Sequence, residues 1–236
     1  MLDADSHWFS GPQGRALLDL ECALVREALE DCFGWQSVQI GDRWGSRELL
    51  AGARTPAQVL LSGESADARC RLTQLPIQGD SVDCVLLPHT LEFESDPYGV
   101  LREADRILAG EGKLIILCFA PWSLWGLRAL AARRGFPPGL RRLFSERRLR
   151  DWMRLLGYDV LDCRRYLFES PFSLPEAGGY RTRRGFAGVL PAGALLLKAR
   201  KRMHALIPPR PVLRGRPRTV LGGLSESASA NRAQRS

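Results

Sequence analysis

This 236-residue chain has no run of about 20 apolar residues, the length that a membrane-spanning helix needs. Its longest apolar stretches, Leu114–Leu127 and Ala187–Ala199, are broken by Pro, Ser or Gly. The first residues carry Asp3 and Asp5 and lack a basic stretch followed by an apolar one. No secretory signal is read there, and the protein is expected to be cytoplasmic. Cys22, Cys32, Cys70, Cys84, Cys118 and Cys163 include no C-x-x-C pair, so they are expected to be buried reduced thiols. The histidines, His7, His89 and His204, are far apart in the chain, and no metal centre is expected. Internal repeats are lacking as well.

Acidic residues are nearly missing from the C-terminal end. Lys198–Ser236 holds ten Lys/Arg against Glu226 alone, while the whole chain has a formal net charge of +8. The rest is therefore close to neutral. Four prolines fall in Ile207–Arg218, and Leu224–Ser236 is rich in Ser, Ala, Asn and Gln without periodicity. Residues 207–236 accordingly read as a disordered basic Pro/Ser-rich tail, and residues 1–206 as one domain. Such a tail is a solvated extension, or a contact for nucleic acid or an anionic membrane. An RNA-recognition signature is lacking.

What remains alternates between helical and strand periodicity, which predicts an α/β fold. A helix is predicted over Gly14–Cys32, where Ala16, Leu17, Leu20, Leu24, Ala28 and Leu29 share a face. Strands are predicted at Ser37–Ile40, Gln58–Leu61 and Ala68–Leu72, with a helical stretch over Ser46–Ala53. Ser81–Leu87 and Lys113–Phe119 are near-continuous apolar runs, as in a parallel sheet covered on both faces. Between them Asp96–Leu108 has helical spacing, with Gly110 and Gly112 marking its exit. Ser145–Leu156 reads as a Ser-capped helix, and Tyr158–Asp162 and Ala194–Arg200 as closing strands. Ala120–Phe144 is an insertion rich in Trp, Arg, Gly and Pro, expected above the strand ends where open α/β sheets bind ligands. Its Trp122, Leu124, Trp125, Leu127 and Phe136 among five arginines make either a lid over an apolar acceptor, a membrane rest, or a helix packed on the domain.

Three segments stand in a telling order: Leu75-Pro76-Ile77 to Ser81-Val82-Asp83-Cys84-Val85, then Leu101-Arg102-Glu103-Ala104-Asp105-Arg106-Ile107-Leu108, then Gly110-Glu111-Gly112-Lys113-Leu114. Together they resemble the central block of type 11 methyltransferase domains, a class I S-adenosylmethionine-dependent family. Cys118-Phe119-Ala120-Pro121-Trp122 and Gln39-Ile40-Gly41 further resemble a bacterial subgroup whose first motif is degenerate. The resemblance covers about Trp8 to His204. It implies a Rossmann-like, seven-stranded, mostly parallel sheet with helices on both faces, S-adenosyl-L-methionine as cofactor, and an unidentified, small-molecule methyl acceptor.

By the same resemblance the cofactor site comprises Gly41 and Gly45 of a D-x-G-x-G-x-G turn, Glu64 as the ribose acid after the second strand, and Pro88 at the end of a later strand. A glycine-rich turn lets backbone approach the ligand where a Cβ would collide. Gln39 stands in place of the usual acid, Arg43 in place of the middle glycine, Arg71 where an acid often faces the adenine, and Phe93 in place of a common His. Gln39 retains an amide acceptor for the cofactor amine but not a charged one. Arg43 either pairs with the cofactor carboxylate or fills the pocket. His89, the side chain there that titrates near neutrality, is the candidate general base, against the plainer role of a hydrogen-bonded residue at a strand end. Glu92 is expected to cap or orient the next segment. Besides methyl transfer, two other classes fit: a catalytically inactive binding or regulatory member of the fold, and an RNA- or membrane-associated protein using the tail and the insertion.

Overall fold

The computed structural model describes residues 8–43, 47–62, 66–132, 136–172 and 191–203, and the chain divides between Met203 and His204. The sheet has six strands: β1 (Gln36–Ile40), β2 (Ala57–Leu61), β3 (Val82–Pro88), β4 (Leu108–Phe119), β5 (Tyr158–Tyr166) and β6 (Ala194–Lys201). Their order is β2-β1-β3-β4-β6-β5. Neighbouring pairs among β1 to β4 are parallel, and β6 runs antiparallel to both β4 and β5. The order reverses at β1 and β3, which leaves a crevice beyond their carboxyl ends, the place where such sheets bind ligands.

Helices cover both faces. On one lies α1 (Pro12–Leu29), whose Leu17, Leu24, Val25 and Leu29 pack with Cys84, Leu86, Ile115 and Leu117 of the sheet. On the other lie α2 (Pro97–Ile107) and α4 (Glu146–Leu155), with Val100, Leu101, Leu149 and Met153 against Val85, Leu87, Leu114 and Ile116. Covering both faces is why β3 and β4 read as unbroken apolar runs. Asp96 caps α2 by accepting from Gly99 N at 2.9 Å, and Ser145 caps α4, each cap contributing about 1 kcal/mol.

Two of the motif segments hold each other. Glu103 on α2 accepts from Leu75 N at 2.8 Å, and Arg106 donates to Leu75 O (3.1 Å) and Ile77 O (2.9 Å) while pairing with Glu103. The L-R-E-x-x-R pattern is thus a clasp on the L-P-I segment. Asp83 is a second clasp: its carboxylate accepts from Trp35 N (2.6 Å) and Gln36 N (3.0 Å) and so fixes the start of β1.

Several expectations are corrected. The sheet has six strands among the described residues rather than seven, because Ala68–Leu72 forms only isolated bridges, a parallel one from Ala68 to Leu61 and an antiparallel one from Arg71 to Gln74. The Asp67 carboxylate takes the Leu60 N–H at 2.8 Å and so occupies a donor that strand pairing would use. The helix expected over Ser46–Ala53 is one 3-10 turn, Glu48–Leu50. Gly110 and Gly112 lie inside β4, where the register jumps from Val82–Leu108 to Cys84–Lys113 and Glu111 has a φ of 66°. Of the six free cysteines, Cys32, Cys84 and Cys118 are buried, whereas Cys22, Cys70 and Cys163 are half-buried.

Candidate functional site

The carboxyl end of β1 turns at Gly41, whose φ of 91° suits glycine. A Cβ there would lie 2.6 Å from Thr90 Oγ1, and the Thr90 hydroxyl donates to Ile40 O. The loops after β1 and β3 therefore touch, and Gly41 N donates to Leu61 O of β2 at 2.9 Å. One residue before Ile40, Gln39 is buried; its Nε2 donates to Gly41 O at 3.2 Å. Its Oε1 is buried and lacks a hydrogen-bond partner among the described residues. Leaving such an acceptor unpaired costs about 1–3 kcal/mol unless something supplies a donor.

Arg43 and Phe93, two of the departures noted in the sequence, meet. The Arg43 guanidinium sits 4.3 Å from the centroid of the Phe93 ring, a cation–π contact that spans the β1 and β3 loops. Pro88, the last residue of β3, is buried and paired with Leu117 of β4. Gly45 and Glu64 lie outside the described residues. Beyond β2, Asp67 pairs with Arg47 as well as with Leu60 N, and these two contacts hold its carboxyl below the usual range.

His89 follows Pro88 with a φ of 49°, a conformation uncommon outside glycine. Its ring is fully buried. Nε2 lies 2.7 Å from Glu21 Oε1 on α1, and Nδ1 lies 3.0 Å from Glu92 Oε1. The Tyr166 hydroxyl of β5 donates to the same Glu21 oxygen at 2.7 Å, and Phe119 N of β4 donates to the same Glu92 oxygen at 2.7 Å. Phe119 also lies over the imidazole, with centroids 4.1 Å apart. Burial alone would lower the His89 pKa, but the two carboxylates outweigh it and raise the value to about 10. At neutral pH the ring is an imidazolium with both N–H groups committed to carboxylates. Burial, with Glu21 next, pushes the Tyr166 hydroxyl well up, and burial followed by Glu92 does the same to the Cys118 thiol.

Sequence reasoning singled out His89 and Glu92 but missed Glu21 and Tyr166. A signal for Glu21 existed: it is an acid within the apolar stripe of α1, and acids in such positions are rarely buried unpaired. Rather than the segment that follows it, Glu92 holds a distant one: its backbone oxygen accepts from Arg141 N (3.0 Å) and Arg142 N (3.1 Å). The insertion holds α3 (Leu124–Ala131), capped by Ser123. Trp125 anchors it, stacked on Phe119 at 6.3 Å and donating from Nε1 to Glu169 O at 2.9 Å. Among the described residues, no group of three or more His, Cys, Asp or Glu could hold a metal ion, and no helix is long and apolar enough to cross a membrane.

Residues 46–116 match the model of the type 11 methyltransferase domain. That stretch of the chain is thus similar to a methyltransferase domain, and the sheet and helices around it have the class I methyltransferase fold. The match starts after β1, so Gln39, Gly41 and Arg43 fall outside it. Among curated relatives, the uncharacterized protein YafS of Escherichia coli (strain K12) is 44% identical over 153 residues, 61% of this chain and 64% of its own length; the chain thus spans less than two thirds of that relative. A SAM-dependent methyltransferase of Thermotoga maritima shares the fold of this chain with a TM-score of 0.62 at 21% identity, over 86% of this chain and 100% of that one. Geranyl diphosphate C-methyltransferase of Streptomyces coelicolor A3(2), solved with S-adenosyl-L-homocysteine, gives a TM-score of 0.55 at 12% identity, over 78% and 76%.

Proposed function

We propose that this protein is an S-adenosylmethionine-dependent methyltransferase acting on a small-molecule acceptor, with the cofactor held in the crevice between the β1 and β3 loops. The observation that carries this reading is the buried, partnerless Oε1 of Gln39 beneath the Gly41 turn. A cofactor ammonium is the kind of donor that satisfies such an acceptor. Arg43, beside the same turn, supplies a positive charge for the cofactor carboxylate. These residues fit the ligand, while Gly45 and Glu64 are proposed to complete the site on the strength of the resemblance alone. When bound, the cofactor supplies an electrophilic methyl group for in-line displacement, and the protein's share is positioning.

His89 takes a positioning role in this reading rather than that of a base. A fully buried imidazolium with both N–H groups donating to carboxylates has no lone pair with which to accept a proton. It ties α1 to β3 and so shapes the wall of the crevice.

Calorimetric titration of the purified chain with S-adenosylmethionine and S-adenosylhomocysteine tests the proposal. Saturable binding that weakens in Gln39→Ala by about tenfold, or about 1.4 kcal/mol, supports it. Wild-type protein that binds neither compound overturns it and favours the second reading, an inactive member of the fold in which Arg43 stacked on Phe93 closes the crevice.

A further inference from the structure

Helix α3 has the sequence LWGLRALA, with Arg128 its one charged residue. Such a helix has no polar face to give to water. Trp125 and Ala129 are buried against the domain, yet Leu127 and Leu130, one turn apart on the opposite side, are 61% and 76% exposed. Trp122, just before the cap, is 81% exposed, and Phe172 is 75% exposed with its ring 5.1 Å from the Arg128 guanidinium. Arg128 is turned sideways onto Phe136 at 3.6 Å and onto Pro171 O, so it does not screen the leucines.

The charge of the insertion itself has one sign. Residues 120–144 contain five arginines and neither Asp nor Glu. Exposed Arg141 and Arg142 are held at the crevice by the Glu92 carbonyl, which accepts from both backbone N–H groups. A helix with bulky aliphatic side chains outward, a Trp at its start and exposed Arg141 and Arg142 in the same insertion matches the boundary layer of an anionic bilayer, where apolar side chains enter the acyl region and guanidinium groups meet phosphates. Single-stranded nucleic acid would ask for a row of exposed rings on which bases stack; Trp122 and Phe172 are exposed at the borders of this face, but its outward centre is aliphatic Leu127 and Leu130, which suits acyl chains rather than bases. We propose that the insertion seats this protein on an anionic lipid surface, with Trp122, Leu127 and Leu130 entering the bilayer and the crevice mouth turned toward it. This proposal stands independently of the proposed methyl transfer.

The test is co-sedimentation of the full chain with vesicles of phosphatidylcholine containing phosphatidylglycerol, set against vesicles of phosphatidylcholine alone. The wild type should bind the anionic vesicles, with a blue shift of tryptophan emission, and bind the neutral ones at least tenfold more weakly. The Leu127→Gln/Leu130→Gln variant should lose binding by at least tenfold. Its melting temperature should match that of the wild type, because the replaced side chains already face solvent. Retained binding by that variant overturns the proposal by assigning the affinity to the basic C-terminal segment. Absence of vesicle binding by the wild type overturns it too, as does a wild-type dimer that the variant converts to monomer, which would make a second copy the occupant of the face.

Discussion

The imidazole of His89 at the end of β3 is joined to Glu21 in the middle of α1 by a 2.7 Å contact between Nε2 and Oε1, both side chains fully buried. With Glu92 on the other ring nitrogen and Tyr166 on Glu21, this contact ties α1, β3, β4 and β5 together at the carboxyl edge of the sheet. A helix that could slide on its apolar stripe is thereby fixed in position over the crevice.

Stability should fall as pH rises through the alkaline range. The folded-state pKa of His89, about 10, lies above the 6.5 of an unperturbed histidine. Folding therefore binds a proton between these values, and the contribution of the imidazolium is complete below about 6.5 and lost as pH approaches 10. The slope from this one group is at most ~1.4 kcal/mol per pH unit. Denaturant unfolding at intervals from pH 6.5 to 8.5 measures it. His89→Gln should be less stable throughout and show a shallower slope than the wild type over that span, the buried thiols contributing equally to both toward pH 8.5; equal slopes for the two proteins would show that the ring is neutral in the fold.

Removing one carboxylate should be worse than removing a surface ion pair. Glu92→Ala takes a partner from His89 and leaves Phe119 N without its acceptor. Breaking a buried pair in this way costs roughly 3–5 kcal/mol. Arg154, paired with Asp151 at 3.7 Å on the surface, serves as the comparison, and Arg154→Ala should change stability by under about 1 kcal/mol. Chemical denaturation of the two variants side by side decides the matter. A Glu92→Ala cost as small as that of Arg154→Ala would mean the carboxylate is unimportant to the His89 assembly.

Much of this fold was legible because its signals are local. Apolar runs gave β3 and β4, the 3.6-residue stripes gave α1 and α2, and Ser145 and Asp96 marked helix starts. The third strand failed because Asp67, a single side chain, competes for a backbone donor, and periodicity does not register such competition. At the site, Gln39, Gly41 and Arg43 stand out by resemblance to a family motif, and their contacts could not be read from the sequence. Glu21 and His89 are 68 residues apart, a pairing that only tertiary packing creates. The Arg43 and Phe93 contact left a fainter trace, two departures from one family pattern that prove to be neighbours in space.

That contact gives opposite forecasts for the two readings of Arg43. As a ligand of the cofactor carboxylate, Arg43→Gly should weaken S-adenosylmethionine binding by about tenfold or more, the worth of a charged hydrogen bond. Phe93→Ala should weaken it less, since the guanidinium stays while its stacking support goes. Titration calorimetry on both variants reads the difference. Tighter binding by Arg43→Gly than by the wild type would identify the side chain as a plug and sink the ligand role.

Gly41 offers the sharpest test of the crevice itself. Alanine at this position meets two obstacles: a backbone φ of 91°, which L side chains rarely adopt, and Thr90 Oγ1 at 2.6 Å from the new Cβ. Together they should cost on the order of 1–3 kcal/mol, visible as a lower melting temperature. Thr90→Ala alone should cost less, about 1 kcal/mol for the lost bond from its hydroxyl to Ile40 O. The double variant should then recover part of the Gly41→Ala loss, because the nearest obstructing atom is gone while the unfavourable φ remains. A double-mutant cycle by thermal unfolding measures that coupling. Strictly additive effects would show that the β1 and β3 loops do not press on one another at this point, and full recovery would assign the whole cost to the hydroxyl rather than to the backbone.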